Sequence, residues 1–142
     1  MMTEEDIRRS KCIVDASVAV KWFSEEKDTA KAQLLLDQTF RGIVKITIPD
    51  LLIYEVSNAL WKSKKAPMFE IAKAITTIYT APIEIMTLNR QLAISAARYM
   101  TIYDLTYYDA VYAALAEDKK LPLLTADIKD FKKIKEIEVL AL

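Results

Sequence analysis

Apolar positions along this chain follow two rhythms, short unbroken runs and longer stretches in which they recur every three or four residues. The first rhythm marks buried strands and the second amphipathic helices. Lys11–Val14 reads as a fully buried strand. Ser17–Phe23 follows as a helix, with Asp15 or Ser17 available as its N-cap. Asp28–Phe40 turns Ala32, Leu35, Leu36 and Thr39 to one face and ends near Gly42. Val44–Ile48 is β-branched and stops at Pro49, a second strand. Asp50 can cap a helix running to about Lys64, and Pro67 suits the start of the next, whose apolar positions include Met68, Ile71, Ile75 and Ile78. Ile83–Met86 is a third strand, Asn89–Met100 and Thr106–Glu117 are helices, and Leu121–Thr125 is a fourth strand. Ile128–Ile134 is a short helix and Glu138–Leu142 a last strand.

Strands alternating with helices predict an α/β domain with a largely parallel central sheet and helices on both faces. Sites in such sheets form outside the carboxyl ends of the strands. Two acids stand there: Asp15 closes the run Cys12-Ile13-Val14, and Asp127 closes Leu123-Leu124-Thr125-Ala126. Two more interrupt apolar helical sequence. Glu55 falls within Leu51-Leu52-Ile53-Tyr54-Glu55-Val56, and Asp109 opens a stretch that stays apolar through Ala116. At about 100° per residue, Leu51, Leu52, Asn58, Ala59 and Lys62 surround Glu55, which stands at a polar–apolar boundary. Leu105, Thr106, Tyr112, Ala113 and Ala116 surround Asp109, on a helix that is apolar all round and therefore expected to be buried. By this reading Asp109 is the least comfortable acid in the chain.

Composition removes most other chemistry. The 142 residues include no histidine, one glycine and one cysteine. His-based triads, phosphate-cradling glycine loops, and zinc or iron–sulfur sites are thereby excluded. Carboxylates, hydroxyls, lysines and arginines remain. The apolar share of 53% suits one folded domain, and Cys12, inside an apolar run, reads as a small buried hydrophobe in a reducing compartment. No signal peptide and no membrane span is evident, so a cytoplasmic, membrane-free protein is expected. Net charge is zero, with lysines clustered at Lys62, Lys64 and Lys65, at Lys119 and Lys120, and at Lys129, Lys132, Lys133 and Lys135. They serve either as solvated helix ends or as a rim facing phosphates.

Each acid has an ordinary alternative. Asp15 and Asp127 could cap the helices that follow them, Glu55 could lie on the surface, and Asp109 could complement a helix dipole or pair with Arg98 or Arg90. Together they fit one shared cation better than four independent accidents. With oxygen donors alone, that ion is hard: Mg²⁺ or Mn²⁺. Such a site suits phosphoryl chemistry, because a bound cation lowers the pKa of a coordinated water and stabilises charge on phosphorus oxygens. Ser17, Asn58 and Thr125 are short polar residues spaced to support ligands or water, or simply to make local turn bonds.

Four segments carry a family resemblance: Ile13-Val14-Asp15-Ala16-Ser17-Val18, Pro49-Asp50-Leu51 through Glu55-Val56-Ser57-Asn58-Ala59-Leu60, Leu105-Thr106-Tyr107-Tyr108-Asp109-Ala110-Val111-Tyr112, and Leu123-Leu124-Thr125-Ala126-Asp127. In order and spacing they resemble the PIN-domain family, and especially its VapC-like toxins. The resemblance runs from about Lys11 to the C-terminus. It implies a single three-layer PIN-like domain over residues 11–142, with residues 1–10 an N-terminal extension that need not be ordered. It also implies a Mg²⁺- or Mn²⁺-dependent endoribonuclease acting through metal-activated water. Asp15, Glu55, Asp109 and Asp127 match the metal-binding acids, and Ser17, Asn58 and Thr125 the supporting polar positions. Asp127 matches the family's more variable acid, with Asp130 a nearby substitute. RNA as substrate, a cognate antitoxin protein and a homodimer or higher homo-oligomer are the implied partners.

Two other enzyme classes fit less well. Haloacid-dehalogenase-like phosphatases need an acid two residues after the first, where Ser17 stands, and receiver domains need an adjacent acidic pair. The non-enzymatic alternative is a catalytically inactive PIN-like module that binds RNA or protein. Trp61, Tyr107, Tyr108 and Tyr112 could stack on unpaired bases, or pack in the core or a dimer contact.

Overall fold

All five strands anticipated above form, and they run parallel. The computed structural model describes residues 3–142. Its sheet comprises β1 (Lys11–Val14), β2 (Lys45–Pro49), β3 (Glu84–Met86), β4 (Leu123–Thr125) and β5 (Val139–Ala141), in the order β3-β2-β1-β4-β5. Every neighbouring pair is parallel, with Ile13 opposite Thr47 on one side of β1 and opposite Leu123 on the other. Successive residues of a strand face opposite sides of the sheet, yet Cys12, Ile13 and Val14 are all fully buried. Both faces are therefore covered, which is the condition under which parallel sheets are stable.

The order of the strands locates the site. From β1 the chain steps outward to β2 and β3, then returns to the opposite side of β1 for β4 and β5. This reversal makes the gap between β1 and β4 the topological switch point, and its carboxyl end is the natural crevice of the fold. Val14 and Leu124 are in register there, one residue short of Asp15 and Thr125.

The helices are α1 (Glu4–Arg9), α2 (Ala16–Ala19, continued by a 3-10 turn to Trp22), α3 (Thr29–Phe40), α4 (Leu51–Lys62), α5 (Met68–Thr80), α6 (Arg90–Tyr103), α7 (Tyr107–Lys119) and α8 (Ile128–Phe131). α7 lies against β1, β2 and β4 and packs heavily on α6. Its residues Ala110–Ala116 are all buried, as a helix apolar on every side requires. α4 packs on β2, α2 and α5. Within the segment read as an N-terminal extension, the Arg9 guanidinium donates to the Ala141 carbonyl at 2.7 Å. No helix among the described residues is long and apolar enough to cross a membrane.

The helix ends use the few turn-formers this chain has. Asn89 and Thr106 accept the amides of Leu92 and Asp109 as N-caps of α6 and α7. Gly42 follows the C-cap of α3 with φ 76°, but the left-handed positions ending α6 and α7 are held by Asp104 and Lys120, at φ 54° and 55°.

Candidate active site

Asp15 stands at the switch point, 6% exposed and, among the described residues, without a cationic partner. It occupies the N-cap position of α2, but its side chain caps nothing. The carboxylate turns instead toward two hydroxyls. Ser17 Oγ donates a short hydrogen bond to Asp15 Oδ1, and Thr125 Oγ1 donates to Asp15 Oδ2 at 2.9 Å. Those hydroxyls are themselves anchored, since Ser17 Oγ accepts the Ala126 amide at 3.0 Å and Thr125 Oγ1 accepts the Asp127 amide at 2.9 Å. The ends of β1 and β4 are thus stitched together around one carboxylate. Asp127 likewise precedes α8 without capping it. The capping alternatives for Asp15 and Asp127 fail for the same reason: both side chains leave their own helix unserved.

Burial pushes the Asp15 carboxyl from its usual range up to about 7, opposed by the two hydroxyls and reinforced by the negative charges of Asp127 and Asp109. Glu55, half-buried on α4, is raised by burial and by Asp109, and lowered by the Tyr112 hydroxyl, which donates to Glu55 Oε1 at 2.7 Å. Asp109 is raised by burial and then by Asp130, with the Thr106 hydroxyl opposing and Asp127 adding to the rise. These mutual effects bring Asp15, Glu55, Asp109 and Asp127 into one electrostatic neighbourhood, with Asp130 as a fifth member.

Three expectations need correction. Asp15, not Asp109, is the least comfortable acid: Asp109 lies in the first turn of α7, half-exposed and served by Thr106, whereas Asp15 is closed in from both strands. The suggested pairing of Asp109 with Arg98 does not form, because Arg98 bridges Glu117 and Glu136. Tyr112 cannot stack on a base, since it is 1% exposed and its hydroxyl is committed to Glu55. Tyr107 donates to the Ala93 carbonyl, while Trp61 and Tyr108 are exposed.

Glu55 opens onto a groove of about 790 Å³ lined by Leu51, Tyr54, Asn58, Trp61, Ile71 and Tyr108, among others. Asn58 lies one turn from Glu55 in this groove, and among the described residues its side chain makes no hydrogen bond to an acid. The lysines are divided in their roles. Lys64 pairs with Glu26 and Lys119 with Glu84, whereas Lys129 is exposed on α8 beside Asp127.

The acids suit a hard cation in donor type and in charge. None of the ion pairs among the described residues reaches any of the four. They are near neighbours without being a finished coordination sphere, for among the described residues no three acidic side chains gather at ligating distance. Carboxylates at a parallel-sheet switch point, supported by hydroxyls, offer oxygen donors of the kind that hard divalent ions take.

The chain belongs to the PIN-domain family, whose PIN domain matches residues 12–137. It is similar to exonuclease VapC9 of Pyrobaculum aerophilum, with 33% identity over 91 residues that make up 64% of this chain and 68% of that protein. Its fold is shared by VapBC2 of Rickettsia felis bound to a promoter DNA fragment (TM-score 0.68, 16% identity, 93% of this chain and 98% of that one). It is also shared by Mycobacterium tuberculosis VapC20, a sarcin–ricin loop cleaving toxin (TM-score 0.67, 13% identity, 79% and 86%). The recognition made from four short segments, and the fold it implied, both hold.

Proposed function

We propose that this protein is a Mg²⁺- or Mn²⁺-dependent endoribonuclease, and the toxin of a toxin–antitoxin pair. The observation that carries this reading is Asp15: a buried carboxylate at the switch point, held by Ser17 and Thr125, faced by Asp109 and Asp127, and met by no cation among the described residues. A site of this kind is stable with its acids ionised only when a cation is supplied from outside. Asp15, Glu55, Asp109 and Asp127 would hold that cation, with Ser17 and Thr125 fixing Asp15. When bound, the ion supplies an acidified water and charge neutralisation at the scissile phosphate. The protein's own contribution is to orient the acids and to leave the groove beside Glu55 open for the strand. Exposed Trp61 and Tyr108 line that groove and offer flat surfaces to unpaired bases.

The same exposed aromatics, with Tyr54, form an apolar surface beside the acids that a protein segment would cover. An antitoxin covering this surface is part of the proposal, supported by the fold shared with the toxin–antitoxin assembly VapBC2. So is a homodimer in the cytoplasm.

The test is cleavage of a single-stranded RNA labelled at both ends, with Mg²⁺, with Mn²⁺ and with excess EDTA. Internal cuts that need metal, and that fall at least about 100-fold in Asp15→Asn and Asp109→Asn, are the expected result. Cutting that persists in EDTA would sink the metal mechanism. Release of single nucleotides from one end would make the enzyme an exonuclease, the activity in the name of VapC9. No cleavage and no metal uptake would leave an inactive binding module.

A further inference from the structure

Among the described residues, Tyr112 is the aromatic side chain hydrogen-bonded to one of the four acids, and the proposed mechanism leaves it unused. A buried tyrosine hydroxyl needs a partner, and a backbone carbonyl of a neighbouring turn normally supplies it. Here the donor goes to a charged side chain 57 residues away in sequence, at 2.7 Å. The ring is buried in the core where α7 lies against β1, β2 and β4, so packing on the sheet sets the position of the hydroxyl.

Glu55 needs such an anchor. It has three rotatable bonds, it lines an open groove, and it bears the like charge of Asp109. Tyr112 lies three residues after Asp109 on the same helix, so both project from one face of α7. One helix thereby presents a carboxylate and, a turn later, the donor that holds the second carboxylate. Only Oε1 of Glu55 is engaged, and Oε2 is left for a ligand. Asp15 as well as Glu55 acts on the phenol, so the hydroxyl stands close to two of the four acids.

We infer that Tyr112 is a positioning residue, whose hydroxyl fixes the Glu55 carboxylate at a set separation from Asp109 and so preorganises the pair for a divalent cation. The inference rests on the metal reading above and adds a residue that the acidic pattern does not contain. A charge-assisted bond from a rigid donor is the kind of support whose loss typically weakens metal binding 10- to 100-fold.

The experiment is a direct Mn²⁺ titration, read by electron paramagnetic resonance of the free ion, on the full chain and on Tyr112→Phe, Glu55→Gln and the double variant. Tyr112→Phe is expected to weaken Mn²⁺ binding about 10-fold in the otherwise unchanged protein and to have no further effect in the Glu55→Gln background. A merely structural tyrosine would weaken both backgrounds alike, and that result overturns the inference, as does unchanged affinity in Tyr112→Phe. If Tyr112→Phe does not fold, Glu55→Asp draws the carboxylate back from the hydroxyl while keeping its charge. It is then expected to bind about 10-fold more weakly, and affinity equal to that of the unmodified chain overturns the inference. An unmodified chain that takes up no Mn²⁺ removes the metal reading and this inference together. An unmodified chain that binds Mn²⁺ beside an equally tight Tyr112→Phe removes only the role of Tyr112.

Discussion

Thr125 Oγ1 meets Asp15 Oδ2 at 2.9 Å across the gap between β4 and β1, although 110 positions separate the two residues in the chain. The same hydroxyl oxygen accepts the Asp127 amide, so one buried side chain fixes both the first acid and the loop that carries the fourth. Val at this position keeps the shape and removes both bonds. Thr125→Val is expected to cost about 1–3 kcal/mol of stability, because a buried carboxylate oxygen and an amide lose their partner. Cleavage at saturating metal is expected to fall about 10- to 100-fold. Chemical denaturation and initial rates check the two effects, and an unchanged rate would show that the hydroxyl is only a structural clasp.

Stability without metal should depend on pH through Asp15. Its folded pKa is raised from 3.8 to about 7, so between those values the native state binds more protons than the unfolded chain. Stability is therefore greatest at the acid side of that window and is lost as pH rises through it. Glu55 and Asp109 shift in the same sense, whereas the lowered Glu26 acts oppositely. Comparison with Asp15→Asn isolates the contribution of this one carboxyl. In EDTA, that variant is expected to be more stable than the native sequence at pH 8 by about 2–4 kcal/mol and to differ little at pH 4. Parallel melting curves for the two proteins across this range would refute the raised pKa.

The fourth acid is best described as shared. Asp127 acts on both Asp15 and Asp109, and Asp130 outweighs Asp127 at Asp109. Single variants Asp127→Asn and Asp130→Asn are accordingly expected to retain activity within about 10-fold, and the double variant to lose about 100-fold or more. Initial rates on one RNA substrate measure this. A full loss in Asp127→Asn alone would assign the role to that residue.

Much of this arrangement was legible in the sequence because it lies in local pattern. The run Cys12-Ile13-Val14 announces a strand buried on both faces, and the alternation of elements then fixes which strand ends matter. Asp15 and Asp127 could be placed at those ends without any coordinates. The degree of burial could not. Asp109, ringed by apolar sequence, is half-exposed because it falls in the first turn of α7, while Asp15 is closed in by residues more than 100 positions away. The bond between Tyr112 and Glu55 has no sequence signature either, since helical spacing relates residues within one helix and this contact joins two. Tyr112 at three residues after Asp109, on the same face, was the available hint, and stacking on a base was the wrong use for it.

One feature of the helix ends bears on how this protein could be made more robust. Lys120 terminates α7 in the left-handed region at φ 55°, where a side chain is strained and glycine is not. Lys120→Gly is expected to add about 0.5–1 kcal/mol and to raise the melting temperature by about 2–4 °C, as calorimetry would show. Eleven residues separate this position from Asp109, roughly 16 Å along the helix. α7 is therefore a rod with two distinct ends. One end carries Asp109, an acid raised by its like-charged neighbours and placed in the proposed metal site; the other carries a single strained backbone angle that can be relaxed without touching that site.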